Sequence, residues 1–210
     1  MFKKIFKNPY VLAFIAGIIC LHLIKELAKN RRSIPEPMVI VSDWSLTDQN
    51  ENIKGKSELL HKPFIASFFF TSCPTICPKL MQQMKEVYKR FIDKQNKINF
   101  ISITVDPEQD TPKVLSDYMK KMDIEYPNWF CLTGTEKSIY EVVVNKMKVH
   151  VGDKQEIEGA EGIYDIPHLA HLALFDSNGN LRGLFKTNND EMAALVRAAN
   201  FLIEQQEQDK

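Results

Sequence analysis

From residue 38 onward the chain switches repeatedly between two hydrophobic periods, and that switching outlines an α/β protein. Runs rich in Val, Ile and Phe and bounded by turn residues read as strands: Met38–Ser42, Phe64–Phe70, Ile98–Val105, Trp129–Leu132, His168–Phe175 and Leu181–Phe185. Trp44–Asn50 reads as an extended piece entering a turn. The uncharged run Ile98–Val105 suits a central strand covered on both faces. Between the strands, apolar residues fall at helical spacing. Leu80, Met84, Val87, Tyr88 and Phe91 predict a helix from Pro78 to about Asp93. Val114, Leu115, Tyr118 and Met122 predict one over Lys113–Met122, and Ile139, Val142, Val143 and Met147 another over Thr135–Met147. A last helix starts at Asn189 or Asp190 and carries Met192, Leu195, Val196, Ala199 and Leu202. Asp110 or Thr111 can cap the second helix, with Pro112 in its first turn. Asp176-Ser-Asn178-Gly179-Asn180 is a hairpin turn, whereas Val149–Ile166 lacks periodicity and reads as a loop with room for a short hairpin. Strand and helix alternate three times, and a hairpin and a helix follow. That order predicts a three-layer domain with a mixed sheet.

The N-terminal region has a different pattern. Tyr10–Ile24 is uncharged and apolar, with Lys7 and Lys25 at its flanks. It is short for a span of about 17–25 residues, but Pro9 and snorkelling lysines extend its reach. No small-residue cleavage site follows, and Cys20 lacks the small residues that precede a lipoprotein cysteine, so a retained membrane anchor over residues 1–27 is expected. Basic residues at both ends leave its orientation open. Residues 28–37, polar and proline-bearing, read as a linker, residues 38–205 as the domain and 206–210 as a polar tail. Seven of the 27 basic residues but one of the 27 acidic ones precede residue 33. This leaves 20 against 26, a net charge of about −6, which argues against nucleic-acid binding.

Candidate chemistry centres on Cys73-Pro-Thr-Ile-Cys77-Pro78, between the Phe-rich strand and the first long helix. Proline suits the first turn of a helix, so both sulfurs belong near a helix N-terminus, where unpaired N–H groups and the macrodipole favour thiolates. Four cysteines are too few for a disulfide scaffold. Cys20 lies in the apolar run, and Cys131 reads as a buried small hydrophobe. A cysteine pair on the first strand-to-helix turn, with a closing hairpin and helix, is the thioredoxin-like arrangement. Three chemistries compete there: a dithiol oxidoreductase, a peroxidase and a soft-metal site. Only the last requires a third ligand, and two Cys with one His would hold copper in either oxidation state. His22, His61 and His150 read as surface or interfacial residues, and Met81 and Met84 as core. His168 and His171 start an apolar strand, where side chains three apart face opposite ways, so at most one of them meets the cysteines.

These residues resemble the Sco/SenC copper proteins over roughly Trp44–Asn200. The carriers are Leu46-Thr-Asp-Gln-Asn50, the Cys73–Pro78 turn, Asp106-Pro-Glu-Gln-Asp110-Thr-Pro112, and a histidine ahead of the last hairpin. The family's histidine stands eleven residues before the hairpin glycine; counted from Gly179, that is His168. The resemblance implies a thioredoxin-like α/β domain with a mixed sheet flanked by helices, preceded by one transmembrane helix. It implies copper, Cu(I) or Cu(II), held by Cys73, Cys77 and His168, with Cys73 and Cys77 also a redox pair able to form a disulfide. The implied role is delivery of copper to the binuclear site of cytochrome c oxidase, or reduction of that site's cysteines. The partners would be the copper-bearing oxidase subunit and a copper donor or thiol reductant. The domain would face the periplasm or the mitochondrial intermembrane space. The alternative is a thiol–disulfide oxidoreductase without a lasting metal. Thr75 stands where the family often has Asp, and Pro167-His168-Leu169 where it has Asp-His-Ser. The second change removes a carboxylate and a hydroxyl that could orient the imidazole. Asp106 and Asp110 read as helix caps or as supports of the site.

Overall fold

The computed structural model describes residues 9–30, 36–59, 61–157, 164–168 and 170–208. The chain divides into two compact units, Met1–Ile34 and Pro35–Lys210.

In the first unit, α1 (Pro9–Asn30) is a single helix with exposed apolar side chains, among them Tyr10, Phe14 and Leu21. Here the transmembrane expectation is corrected. Among the described residues no helix is long and apolar enough to cross a membrane. The physical reason is length. The uncharged stretch Tyr10–Ile24 rises about 22 Å at 1.5 Å per residue, against a hydrocarbon core of about 30 Å. Residues 28–30 of the predicted linker belong to this helix, and residues 31–35 lie outside the described ones.

In the second unit the described residues build a sheet in which seven strands run β2-β1-β5-β4-β3-β8-β9. These are β1 (Ser45–Asp48), β2 (Ile53–Gly55), β3 (Phe64–Phe69), β4 (Asn99–Thr104), β5 (Trp129–Thr133), β8 (Leu172–Phe175) and β9 (Leu181–Phe185), while β6 (Gln155–Glu156) and β7 (Tyr164–Asp165) pair separately. Strands β3, β4 and β5 are parallel and the rest join antiparallel, giving the mixed sheet of a thioredoxin-like fold. Every residue of β3 and β4 is buried, as their charge-free sequences require of strands covered on both faces. Two hydroxyls sit inside that core. Ser67 and Ser102 face each other at 2.8 Å, and the Trp129 indole donates to Ser102 at 3.0 Å, so the buried polar atoms satisfy one another.

Helices α2 (Lys56–Leu59), α3 (Ile76–Lys89), α4 (Pro112–Lys121), α5 (Glu136–Tyr140) and α6 (Asn189–Gln208) complete the unit. α3 buries Cys77, Leu80, Met81, Met84, Val87 and Tyr88, one stripe at a spacing of three and four. Thr111, not Asp110, caps α4 by accepting from the Val114 N–H at 3.4 Å. α5 runs on as a π-helical stretch through Glu141–Lys146. The closing hairpin turns at Asp176, whose Oδ1 accepts from the Asn178 and Asn180 N–H groups, both at 2.9 Å. Gly179 there has φ +74°, a conformation that favours glycine.

The other departures are local. Met38–Ser42 is not a strand: Val39 makes one bridge to Leu181, while Met38 and Ile40 point into solvent at 57% and 81% exposure. The hairpin of β1 with β2 has no counterpart in the predicted elements, because Ile53–Gly55 is too short to show a period. β8 begins at Leu172, four residues later than expected, and α6 extends through residues 206–208 of the predicted polar tail. Phe68 is fully buried on β3, an interior strand of the sheet. Phe68→Ala is expected to lower the unfolding free energy by about 3–5 kcal/mol in denaturant titration; a loss under about 1 kcal/mol would mean β3 is not central to the core.

Candidate metal and redox site

The cysteine turn leaves the C-terminal end of β3, and its position follows from hydrogen bonds on either side. Asp110 is fully buried, and its carboxylate accepts from the Thr71 N–H (3.0 Å), the Thr71 hydroxyl and the Thr104 hydroxyl (2.5 Å). This ties the start of the turn to the end of β4. Burial pushes the Asp110 carboxyl upward, against the pull of those hydrogen bonds. Of the two sequence readings of Asp110, the helix cap gives way to Thr111, and its carboxylate supports the cysteine turn instead.

The turn then feeds α3 two residues earlier than Pro78, at Ile76. Cys77 therefore lies inside the first helical turn, and its N–H donates to the Cys73 sulfur at 3.4 Å. Both residues are buried free thiols. They are not equivalent, which corrects the expectation that the helix end activates both. Burial opposes ionisation of Cys73, but the N–H groups of Cys77, Thr75 and Ile76 and the Cys77 thiol outweigh it, holding Cys73 below the ordinary thiol range. Burial pushes the Cys77 thiol well up, and the neighbouring Cys73 adds to the shift.

His168 reaches this pair from another part of the chain. Its Nε2 lies 3.8 Å from the Cys77 sulfur, and its Nδ1 lies 2.5 Å from the Ile166 carbonyl. A carbonyl can only accept, so Nδ1 carries the proton and Nε2 presents a lone pair toward the sulfur. His168 is not on the strand. It forms a bridge with Val151 in the segment before β8, so the face-alternation argument does not apply to His168 and His171. His171 is half-buried, and its Nδ1 has no hydrogen-bond partner among the described residues. Phe70 packs edge-on against the His168 ring at 5.8 Å and stacks on Tyr164 at 5.6 Å.

The remaining candidates have surroundings of their own. Cys20 is exposed on α1 and Cys131 is buried in β5. Met81 and Met84 are core residues, their sulfurs 3.6 and 3.9 Å from the Ser102 hydroxyl. His22, His61 and His150 are exposed. Among the described residues no three His, Cys, Asp or Glu side chains are already gathered into a metal-holding cluster. Asp106 is linked through Tyr164 to Ser72, beside Cys73. Sequence reasoning missed Tyr164 and Ser72: they carry no pattern of their own, and Tyr164 is polar-loop sequence until the loop folds back.

The fold and the buried thiol pair at a strand-to-helix turn define a thioredoxin-like dithiol protein. Comparison narrows the class. The SCO1/SenC family model matches residues 32–202, and the chain belongs to that family. A SCO2-like protein of Rickettsia felis is 31% identical over 85% of this chain and 88% of that one. The structure of Bradyrhizobium japonicum ScoI with copper bound superposes with a TM-score of 0.67 at 28% identity, covering 78% of this chain and 99% of that one. BsSco, described as a member of the Sco family of cytochrome c oxidase assembly proteins, matches in fold with a TM-score of 0.64 at 24% identity over 80% and 98% of the two chains.

The asymmetry of the thiols is directly measurable. Alkylation mapped by mass spectrometry is expected to modify Cys73 before Cys77 and Cys131, with a pH midpoint below that of an ordinary thiol, because a lowered pKa keeps the thiolate populated at lower pH. Equal rates at Cys73 and Cys77 would contradict the arrangement.

Proposed function

We propose that the chain is a membrane-attached copper-binding protein that serves cytochrome c oxidase assembly, with Cys73, Cys77 and His168 as its ligands. The observation that carries this reading is the approach of His168 Nε2 to the Cys77 sulfur at 3.8 Å with Nδ1 already committed to a carbonyl. Ligands at ordinary lengths of about 2.3 Å to sulfur and 2.0 Å to nitrogen, as for zinc, stand about 3.5–3.7 Å apart across a tetrahedral or trigonal ion. The observed separation needs an adjustment of a few tenths of an ångström at most. The donor set is soft thiolate plus imidazole, which suits copper in both oxidation states. The copper-bound state of the Bradyrhizobium relative and the assembly role stated for BsSco support the same reading.

In this reading copper is cargo. Cys73, already disposed to ionise, engages first; Cys77 must lose its proton on binding; His168 closes the set with a neutral imidazole. The recipient would be the copper-bearing subunit of the oxidase, on the periplasmic or intermembrane-space side. Exposed Pro74, Thr75 and Ile76 beside the buried sulfurs offer the surface at which a partner could approach.

The unequal thiols favour a second, compatible use of the pair. The Cys73 thiolate attacks a partner disulfide, forming a mixed disulfide and expelling one partner thiolate. Cys77 passes its proton to the expelled partner thiolate and attacks the Cys73 sulfur, releasing the second partner thiolate, which takes a proton from water. Two electrons pass to the partner, which leaves as a dithiol, and a Cys73–Cys77 disulfide remains. This step makes no use of His168.

Two measurements test the proposal. Reduced full-length protein in detergent is expected to take up one copper per chain, and His168→Ala to weaken copper(II) binding by at least about tenfold, the lower end of losses seen even for supporting residues of metal sites. Unchanged binding without His168 would sink the three-ligand site; dithiol turnover with no copper uptake would leave the redox reading alone. Attachment rests on α1, whose apolar side chains project from its surface. The full-length chain is therefore expected to sediment with membranes at neutral pH and moderate salt, and its recovery in the supernatant there would refute attachment.

A further inference from the structure

His168 stands on a segment held by different forces at its two ends. At the far end the backbone does the holding: His168 bridges Val151, and the Gly152 N–H donates to the Pro167 carbonyl at 2.7 Å. At the near end, β6 (Gln155–Glu156) pairs with β7 (Tyr164–Asp165) through two residue pairs. So short a ladder is marginal in water. The Tyr164 side chain supplies what the ladder lacks.

Its hydroxyl accepts from Ser72 at 2.7 Å and donates to the Asp106 carboxylate. Its ring lies nearly parallel to that of Phe70, at 14°, and Phe70 meets the His168 ring edge-on at 71°. The Lys154 ammonium sits 3.8 Å from the Tyr164 ring centre and 3.6 Å from Asp106 Oδ2. One side chain thus touches the residue beside Cys73, the loop after β4 and the aromatic neighbour of the histidine. The Lys154 ion pair is a weaker tie, since Lys154 is 41% exposed and an exposed ammonium is screened by water. The tyrosine hydroxyl meets a carboxylate that is 4% exposed, where a charge-assisted hydrogen bond is strong.

We propose that Tyr164 is a positioning residue: its hydroxyl latches the histidine segment onto the cysteine turn and sets how closely His168 approaches Cys77. The inference rests on the reading of His168 as the third copper ligand. Its geometric part can be tested without metal.

In the reduced, metal-free full-length chain in detergent, Tyr164→Phe keeps the ring and removes the latch. Amide hydrogen exchange over residues 164–168 is expected to rise about tenfold, the scale of one hydrogen bond to a charged acceptor, with β3 and β4 unchanged. With copper(II) added, the variant is expected to release metal about tenfold faster and to shift both the thiolate-to-copper absorption band and the electron paramagnetic resonance splitting. Ser72→Ala, at an exposed position, breaks the same bridge from its other end and should move exchange in the same direction even if the tyrosine variant folds poorly. Unchanged exchange in both variants overturns the latch. Faster exchange with unaltered copper spectra overturns its control of His168. Wild-type protein that takes up no copper overturns the ligand reading, and the exchange experiment still decides the latch.

Discussion

The buried carboxylate of Asp110 is the constraint on which the site depends. A charge with no exposure to water must find donors, and it finds them in the Thr71 N–H, the Thr71 hydroxyl and the Thr104 hydroxyl. Thr71 is two residues before Cys73, and Thr104 is the last residue of β4. Strands β3 and β4 run parallel with Phe69 opposite Thr104, so both end at the same edge of the sheet. The carboxylate joins the two strand ends and fixes where the cysteine turn begins. From there the direction of α3 decides the rest: entry at Ile76 puts the Cys77 N–H on the Cys73 sulfur and buries the Cys77 thiol.

Burial and helix polarity act in opposite directions on the two sulfurs, and the balance differs between residues four apart. Cys73 sits outside the helix, where several N–H groups converge on it, and is held toward the thiolate. Cys77 sits within the first turn, faces the core and is held as the thiol. That division suits an attacking and a resolving thiol, and it suits stepwise capture of a soft cation. A disposition toward both chemistries therefore comes from one piece of backbone. His168 adds an imidazole nitrogen 3.8 Å from the Cys77 sulfur, brought there by a different part of the chain.

Much of this was legible in the residues. Charge-free runs marked β3 and β4 because a strand covered on both faces excludes charge, and the stripe from Leu80 to Tyr88 marked α3 because one helical face must be apolar. Family resemblance singled out His168, and the matching family model covers the same domain. The sequence did not reveal the difference between the two cysteines, which depends on depth and on which N–H groups point at each sulfur. Nor did it reveal the bridge from Ser72 through Tyr164 to Asp106, which joins residues 92 and 58 positions apart. Local spacing leaves Asp110 open between helix cap and support of the site, and only the packing of β3 beside β4 shows that its partners are Thr71 and Thr104 at the strand ends. Periodicity and composition determined the elements and the chemistry available, since both are local properties of the chain. Tertiary structure alone decided which donor meets which acceptor, because burial and long-range contact exist only after the chain has folded.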